Sequence, residues 1–138
     1  MLILIVEDQA LLGMSLAWDL EDAGHKVLGP ISGIAHAQRL AAQERPDLVL
    51  IDIELQRPDE AIALAQSLQT LLNIPSLFLT SEPSALRAHT TAALGVIAKP
   101  FNPADIHRSV AVAETIIRGG TPPPPAIPCV LEIFQRVH

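Results

Sequence analysis

The sequence predicts an α/β protein, a doubly wound parallel sheet of five strands held between two layers of helices. Three observations predict it. Apolar runs of strand length recur at residues 2 to 6, 26 to 29, 47 to 52, 75 to 79 and 95 to 98. They continue without alternation, as strands buried on both faces do. Stretches with helical spacing lie between and after them, near 10 to 23, 34 to 44, 59 to 72, 84 to 93 and 103 to 118. Strict alternation of the two kinds is the pattern of β-α units that wind a parallel sheet.

Each boundary has a local reason. The first strand runs directly into Glu7-Asp8, so it is too short for a signal-peptide core and far too short to span a bilayer. In the first helix Leu12, Leu16 and Leu20 recur every four residues and form the buried stripe. Met14 and Trp18 fall on the opposite side. Gly24 follows Ala23 where that helix should stop. Pro46 and Pro75 precede the third and fourth strands, and Asn102-Pro103 opens the last helix with a cap and a first-turn proline.

The character changes after Arg118. Gly119-Gly120-Thr121 leads into Pro122 to Pro125, a run that excludes helix and predicts a stiff polyproline II spacer. Beyond it Val130, Leu131, Ile133, Phe134 and Val137 follow a helical spacing, which predicts one short amphipathic piece acting as a detachable contact element. The expected organisation is one domain over residues 1–118, then a Pro-rich linker and short apolar tail over 119–138. There are no internal repeats.

Composition narrows the function. With 138 residues the chain has room for one ordinary core. Its net charge of −6 disfavours direct binding to nucleic acid or an anionic membrane, both of which select a positive surface. A lone Cys129 forms no internal disulfide and offers no metal-ligand spacing, which fits a reducing cytoplasm. The five histidines, His25, His36, His89, His107 and His138, are scattered, with no pair at metal spacing; each is read as a solvated bystander.

The informative residues stand where strands end: Glu7-Asp8, Asp52, Thr80 and Lys99-Pro100. In an open parallel sheet the carboxyl ends of neighbouring strands face one crevice, so these residues meet although they are far apart in sequence. Ile3-Leu4-Ile5-Val6-Glu7-Asp8, Leu48-Val49-Leu50-Ile51-Asp52-Ile53, Leu77-Phe78-Leu79-Thr80-Ser81 and Val96-Ile97-Ala98-Lys99-Pro100-Phe101 together resemble the receiver domain of two-component response regulators, over residues 2 to about 118. Four independent motifs in the right order make the resemblance specific. It implies a flavodoxin-like three-layer α/β/α sandwich with strand order 2-1-3-4-5.

The residues also suggest their chemistry. Asp52, at the end of the central strand, is placed to attack a phosphoryl group and hold it as an aspartyl phosphate. Glu7, Asp8 and Asp52 repel one another and an incoming phosphate unless a cation lies among them. Magnesium suits that role, because it takes one or two carboxylates, keeps waters and accepts a phosphate oxygen. The resemblance implies that Asp8 and Asp52 bind it directly, Glu7 through water, and Glu54 by its backbone carbonyl. It implies too that Lys99 pairs with Asp52 and then with phosphate, that Thr80 donates its hydroxyl to a phosphate oxygen, and that the Lys99-Pro100 bond is cis. Small Ser81 leaves the phosphate accessible. Phosphoryl transfer asks for positioning and charge neutralisation more than for acid-base work.

Two features depart from the family pattern. Val96 stands where many receivers carry a switching aromatic, and the loop from Glu54 to Asp59 lacks a commonly found glycine. The resulting expectation is a phosphorylation-dependent switch rather than an enzyme, although one that assists its own phosphorylation and dephosphorylation. Its expected partners are a sensor histidine kinase or histidine phosphotransfer protein and a further downstream protein, with a homodimer left open. Met14 and Trp18 mark the helix that receivers commonly offer to the phosphodonor. The alternatives are a non-phosphorylated receiver-like interaction module, a haloacid-dehalogenase-type phosphohydrolase and a flavodoxin relative. The phosphohydrolase places its nucleophilic Asp on the first strand and its acidic pair last, the reverse of the order here. A flavodoxin needs a hydroxyl- and glycine-rich phosphate loop where this chain has Glu7-Asp8.

Overall fold

The computed structural model describes residues 1–54 and 58–134. The strands are β1 (Leu2–Val6), β2 (Lys26–Ile31), β3 (Leu48–Asp52), β4 (Ser76–Thr80), β5 (Gly95–Ala98) and β6 (Leu131–Ile133). The helices are α1 (Ala10–Asp22), α2 (Ile34–Glu44), α3 (Pro58–Leu72) and α4 (Pro103–Ile117). The sheet order is β2-β1-β3-β4-β5-β6. Strands β1 to β5 are parallel in the expected order, and β6 adds an antiparallel edge against β5.

The unbroken apolar runs produce this sheet because both of its faces are covered. Ile3, Ile5, Leu48, Leu50, Leu77 and Leu79 pack on the α1 and α4 side, while Leu4, Val6, Val49, Ile51 and Phe78 pack on the α2 and α3 side. Each such side chain stabilises the fold by about 1.5–3 kcal/mol when fully buried. Leu16 and Leu20 of the α1 stripe are buried and Leu12 packs partly buried beside them. Met14 and Trp18 are exposed, as expected, and Leu11 joins them.

The capping signals hold. Asn102 accepts from the Asp105 amide at 2.8 Å while Asp105 accepts from the Asn102 amide at 3.1 Å, the reciprocal pair that satisfies two free helix-end donors. Gly24 takes φ +95 after α1, a conformation that favours glycine. In β2 the pairing with β1 slips between Leu4 and Val6, at Gly29-Pro30.

Two expectations are corrected. The helix predicted over 84 to 93 is not there: Pro83–His89 is a 3₁₀ segment, followed by turns. Only Leu86 is buried within it, and Ala92, Ala93 and Leu94 are then buried in succession. Leu86 and Ala93 fall on one helix face, but the positions between them on that face are His89 and Thr90 rather than apolar residues, and Thr90-Thr91 adds two stiff β-branched residues.

The apolar tail is likewise not helical. Residues 131–133 pair with β5, and the ladder is extended by Ala98 N–H to the Val130 carbonyl and Phe134 N–H to the Leu94 carbonyl, both at 2.8 Å. The run from Leu131 to Phe134 also satisfies a period of two. Leu131 and Ile133 pack on the α1 and α4 side, Phe134 on the other. The unpaired polar edge of β5 decides for the strand, because it needs hydrogen-bond partners. The tail is therefore part of the sheet rather than a detachable element, and Val137 lies outside the described residues. Gly95 makes the approach possible, since a Cβ there would stand 2.4 Å from the Glu132 carbonyl oxygen. Within the proline run, Pro123 is extended as expected but Pro124–Ala126 forms one 3₁₀ turn.

Candidate functional site

Four adjacent strands, β1, β3, β4 and β5, deliver Glu7, Asp52, Thr80 and Lys99 to the same end of the sheet. Asp52 is the last residue of β3 and only 2% exposed. Lys99 follows β5, and its Nζ donates to Asp52 Oδ2 at 2.8 Å. The other Asp52 oxygen accepts from the Glu54 amide at 2.8 Å. Burial works against the Lys99 charge, yet the bond to Asp52 and the nearby Glu54 and Glu7 carboxylates outweigh it and raise the ammonium's pKa. The Lys99-Pro100 peptide is cis, as expected.

Glu7 is buried at the end of β1. Its Oε1 accepts from the Gln9 amide at 3.0 Å, whereas its Oε2 is buried with no hydrogen-bond partner among the described residues. Burial first, and then the neighbouring Asp52 carboxylate, push Glu7 up to about 8. Asp8, the next residue, is exposed. Among the described residues no three His, Cys, Asp or Glu side chains close into a metal-holding group by themselves. The orphaned Glu7 oxygen beside the buried Asp52 nevertheless fits a hard cation that keeps much of its water and takes few carboxylates.

Thr80, the last residue of β4, is buried, and its Oγ1 accepts from the Glu82 amide at 3.1 Å. Glu54 adds a group that sequence reasoning considered only for its backbone. Its Oε1 accepts from both the amide and the hydroxyl of Ser81, and lies 3.5 Å from Thr80 Oγ1. Its Oε2 lies 3.5 Å from Lys99 Nζ. The Ser81 hydroxyl, then the Ser81 amide, hold the Glu54 carboxyl below its ordinary pKa. No local signal announces this, because Glu54 and Ser81 are 27 positions apart. The glycine-free loop considered above has its residues 55–57 outside the described set.

Two histidines depart from the solvated reading. His107 Nε2 meets the Asp19 carbonyl oxygen at 2.8 Å, tying α4 to α1. His25 Nδ1 meets the Met1 amino group at 3.0 Å, and burial, with that terminal charge second, lowers its pKa. Val96, in the position of the family's aromatic, is fully buried in β5.

The response regulator receiver domain family matches residues 3–111, and the chain belongs to that family. It is 32% identical over 113 residues to the phyllosphere-induced regulator PhyR of Methylorubrum extorquens, covering 80% of this chain and 42% of that protein. It is 30% identical over 119 residues to the transcriptional regulatory protein PdtaR of Mycobacterium tuberculosis, covering 84% of this chain and 58% of that protein. The chain thus spans about half the length of these curated relatives. Among solved structures, it resembles the signal receiver domain of a modulated diguanylate cyclase from Desulfovibrio desulfuricans, described as an example of alternate folding. The TM-score is 0.75 and the identity 32%, over 85% of this chain and 95% of that one. No helix of the described residues is long and apolar enough to cross a membrane.

Proposed function

We propose that this receiver is a phosphorylation-dependent switch that takes a phosphoryl group on Asp52. The observation that carries the reading is the 2.8 Å bond from Lys99 to the buried Asp52. It supports a carboxylate held ready at a crevice that Thr80 and Ser81 also border.

In the step proposed, an Asp52 oxygen attacks phosphorus and a new O–P bond forms. The bond that breaks is the N–P bond of a phosphohistidine or the O–P bond of acetyl phosphate, and the leaving imidazole or acetate keeps its electron pair. Lys99 then turns from Asp52 to a phosphoryl oxygen, where its point charge offsets the added negative charge. Thr80 donates its hydroxyl to a second oxygen, and the Ser81 amide is within reach of the same group. Asp8, Asp52, Glu7 through water and the Glu54 carbonyl would hold magnesium, whose charge neutralises the crowded oxygens when it is bound. The phosphodonor is a sensor histidine kinase or histidine phosphotransfer protein. Exposed Leu11, Met14 and Trp18 on α1, the helix that begins beside Glu7-Asp8, support a protein docking there.

The output is a changed protein contact or onward phosphoryl relay. Relatives support a protein partner, since one solved PhyR is described as an anti-anti-sigma factor. The test is incubation with acetyl phosphate and magnesium followed by intact-mass measurement. The expected result is one added phosphoryl group in the wild type and none in Asp52→Asn. An unlabelled wild type that still bound its protein partner would instead identify a non-phosphorylated interaction module.

A further inference from the structure

The Glu54 carboxylate sits on the donors that a phosphoryl group on Asp52 would need. Ser81 presents its amide and hydroxyl to Oε1, Thr80 Oγ1 stands 3.5 Å from the same oxygen, and Lys99 Nζ stands 3.5 Å from Oε2. Both oxygens are thus engaged, in an arrangement that joins β3, β4 and β5 around one anion. The backbone amide of the same residue bonds Asp52 Oδ1 at 2.8 Å, and Lys99 Nζ contacts both Asp52 and the Glu54 carboxylate, so the anion stands beside the acceptor.

We propose that the Glu54 carboxylate is an internal anion that occupies the phosphoryl-binding donors of the unmodified protein and must leave them before Asp52 is phosphorylated. The proposal rests on the switch reading above and names a regulator of that same site. Two anions compete for one set of hydrogens. The side chain of Glu54 is 42% exposed, so it has a route outward into water, where a carboxylate is well solvated. A phosphoryl group carries more charge and more acceptor oxygens than a carboxylate, so it wins the donors once it is covalently attached. Until then the site responds to a phosphodonor only in the fraction of molecules whose Glu54 has swung out. An apparent affinity falls in proportion to that fraction, so an open population near one tenth weakens it about tenfold.

The test compares wild type, Glu54→Ala, Glu54→Gln and Glu82→Gln for labelling by subsaturating acetyl phosphate with magnesium, with thermal melts confirming that each variant is folded. Glu54→Ala is expected to label about tenfold faster than wild type and Glu54→Gln by a smaller factor. Glu82→Gln, which removes an exposed neighbouring acid and leaves Ser81 untouched, is expected to label at nearly the wild-type rate. Equal rates in Glu54→Ala and wild type overturn the proposal. Equal acceleration by Glu82→Gln also overturns it, since general charge would then suffice. The Ser81 amide proton resonance provides a readout independent of labelling: it moves upfield in Glu54→Ala but not in Glu82→Gln, and an unmoved resonance overturns the proposal. If wild type and every Glu54 variant stay unlabelled, the acceptor role of Asp52 itself fails, a result distinct from labelling that ignores Glu54.

Discussion

Lys99 Nζ lies 2.8 Å from Asp52 Oδ2, with the lysine side chain 20% exposed and the aspartate side chain 3%. The carboxylate is thereby almost cut off from water while its partner keeps some contact with it. Removing the partner leaves a buried charge uncompensated, which costs far more than the net worth of the pair. Lys99→Met is expected to destabilise the protein by about 2 kcal/mol, less than a wholly buried pair because the ammonium is partly hydrated. Adding Asp52→Asn should recover most of the loss. Urea unfolding of the two single variants and the double variant checks this; independent, additive losses would disprove the coupling.

Glu7 makes stability depend on pH. Its carboxyl is raised from an ordinary 4.5 to about 8, so between those values the native protein holds a proton that the unfolded chain has released. Its contribution is therefore complete below about pH 4.5 and is lost as pH rises through about 8. In chelator, the melting temperature of the wild type should fall across that window relative to Glu7→Gln, which carries no titrating group there. Parallel pH profiles for the two proteins would show that Glu7 is not the source.

Gly95→Ala should loosen the outer strand. The added methyl meets the Glu132 carbonyl oxygen, a backbone atom that cannot turn aside, and such overpacking costs about 1–3 kcal/mol. The amides of Ala98 and Phe134, which bond across β5 and β6, should exchange with solvent faster, while amides of β1 and β3 should change much less. Unchanged exchange at Phe134 would mean that the strand accommodates the methyl.

Truncation after Gly120 is expected to destabilise more than Gly95→Ala does. It removes β6 altogether and with it the buried Leu131, a side chain worth about 1.5–3 kcal/mol on its own. Chemical denaturation of the shortened chain measures the loss. A midpoint equal to that of the full chain would return the tail to the role of an appendage.

The five strands and the meeting of Asp52, Thr80, Lys99 and Glu7 were legible because each rests on a local pattern, an apolar run that ends on a candidate residue, whereas the strand order came from the family resemblance those motifs carry. Topology then gathers those ends without further information. The 84 to 93 segment misled because Leu86 and Ala93 share a helix face while His89 and Thr90, which stand between them on it, are not apolar. The tail misled differently, since Val130 to Phe134 satisfies both helical and strand spacing, and the open β5 edge makes the choice. Nothing near Glu54 in sequence points to Ser81, because their contact exists only once β3 and β4 lie side by side. His107 escaped for the same reason: Asp19 reaches it only after α1 and α4 have packed.

The sixth strand changes what the molecule presents to other chains. A sheet ending on β5 would offer a buried-type sequence, Gly95 to Ala98, as a template for foreign strands. Covered by β6, that side ends, among the described residues, in a pairing segment of three residues with Glu132 at its centre. On the far side β2 carries the exposed Lys26 and the half-buried Pro30, which has no N–H to give. Short length, charge and a missing donor are the means by which natural sheets resist edge-to-edge aggregation. The residues that complete the ladder beside Lys99 therefore also guard the protein's solubility.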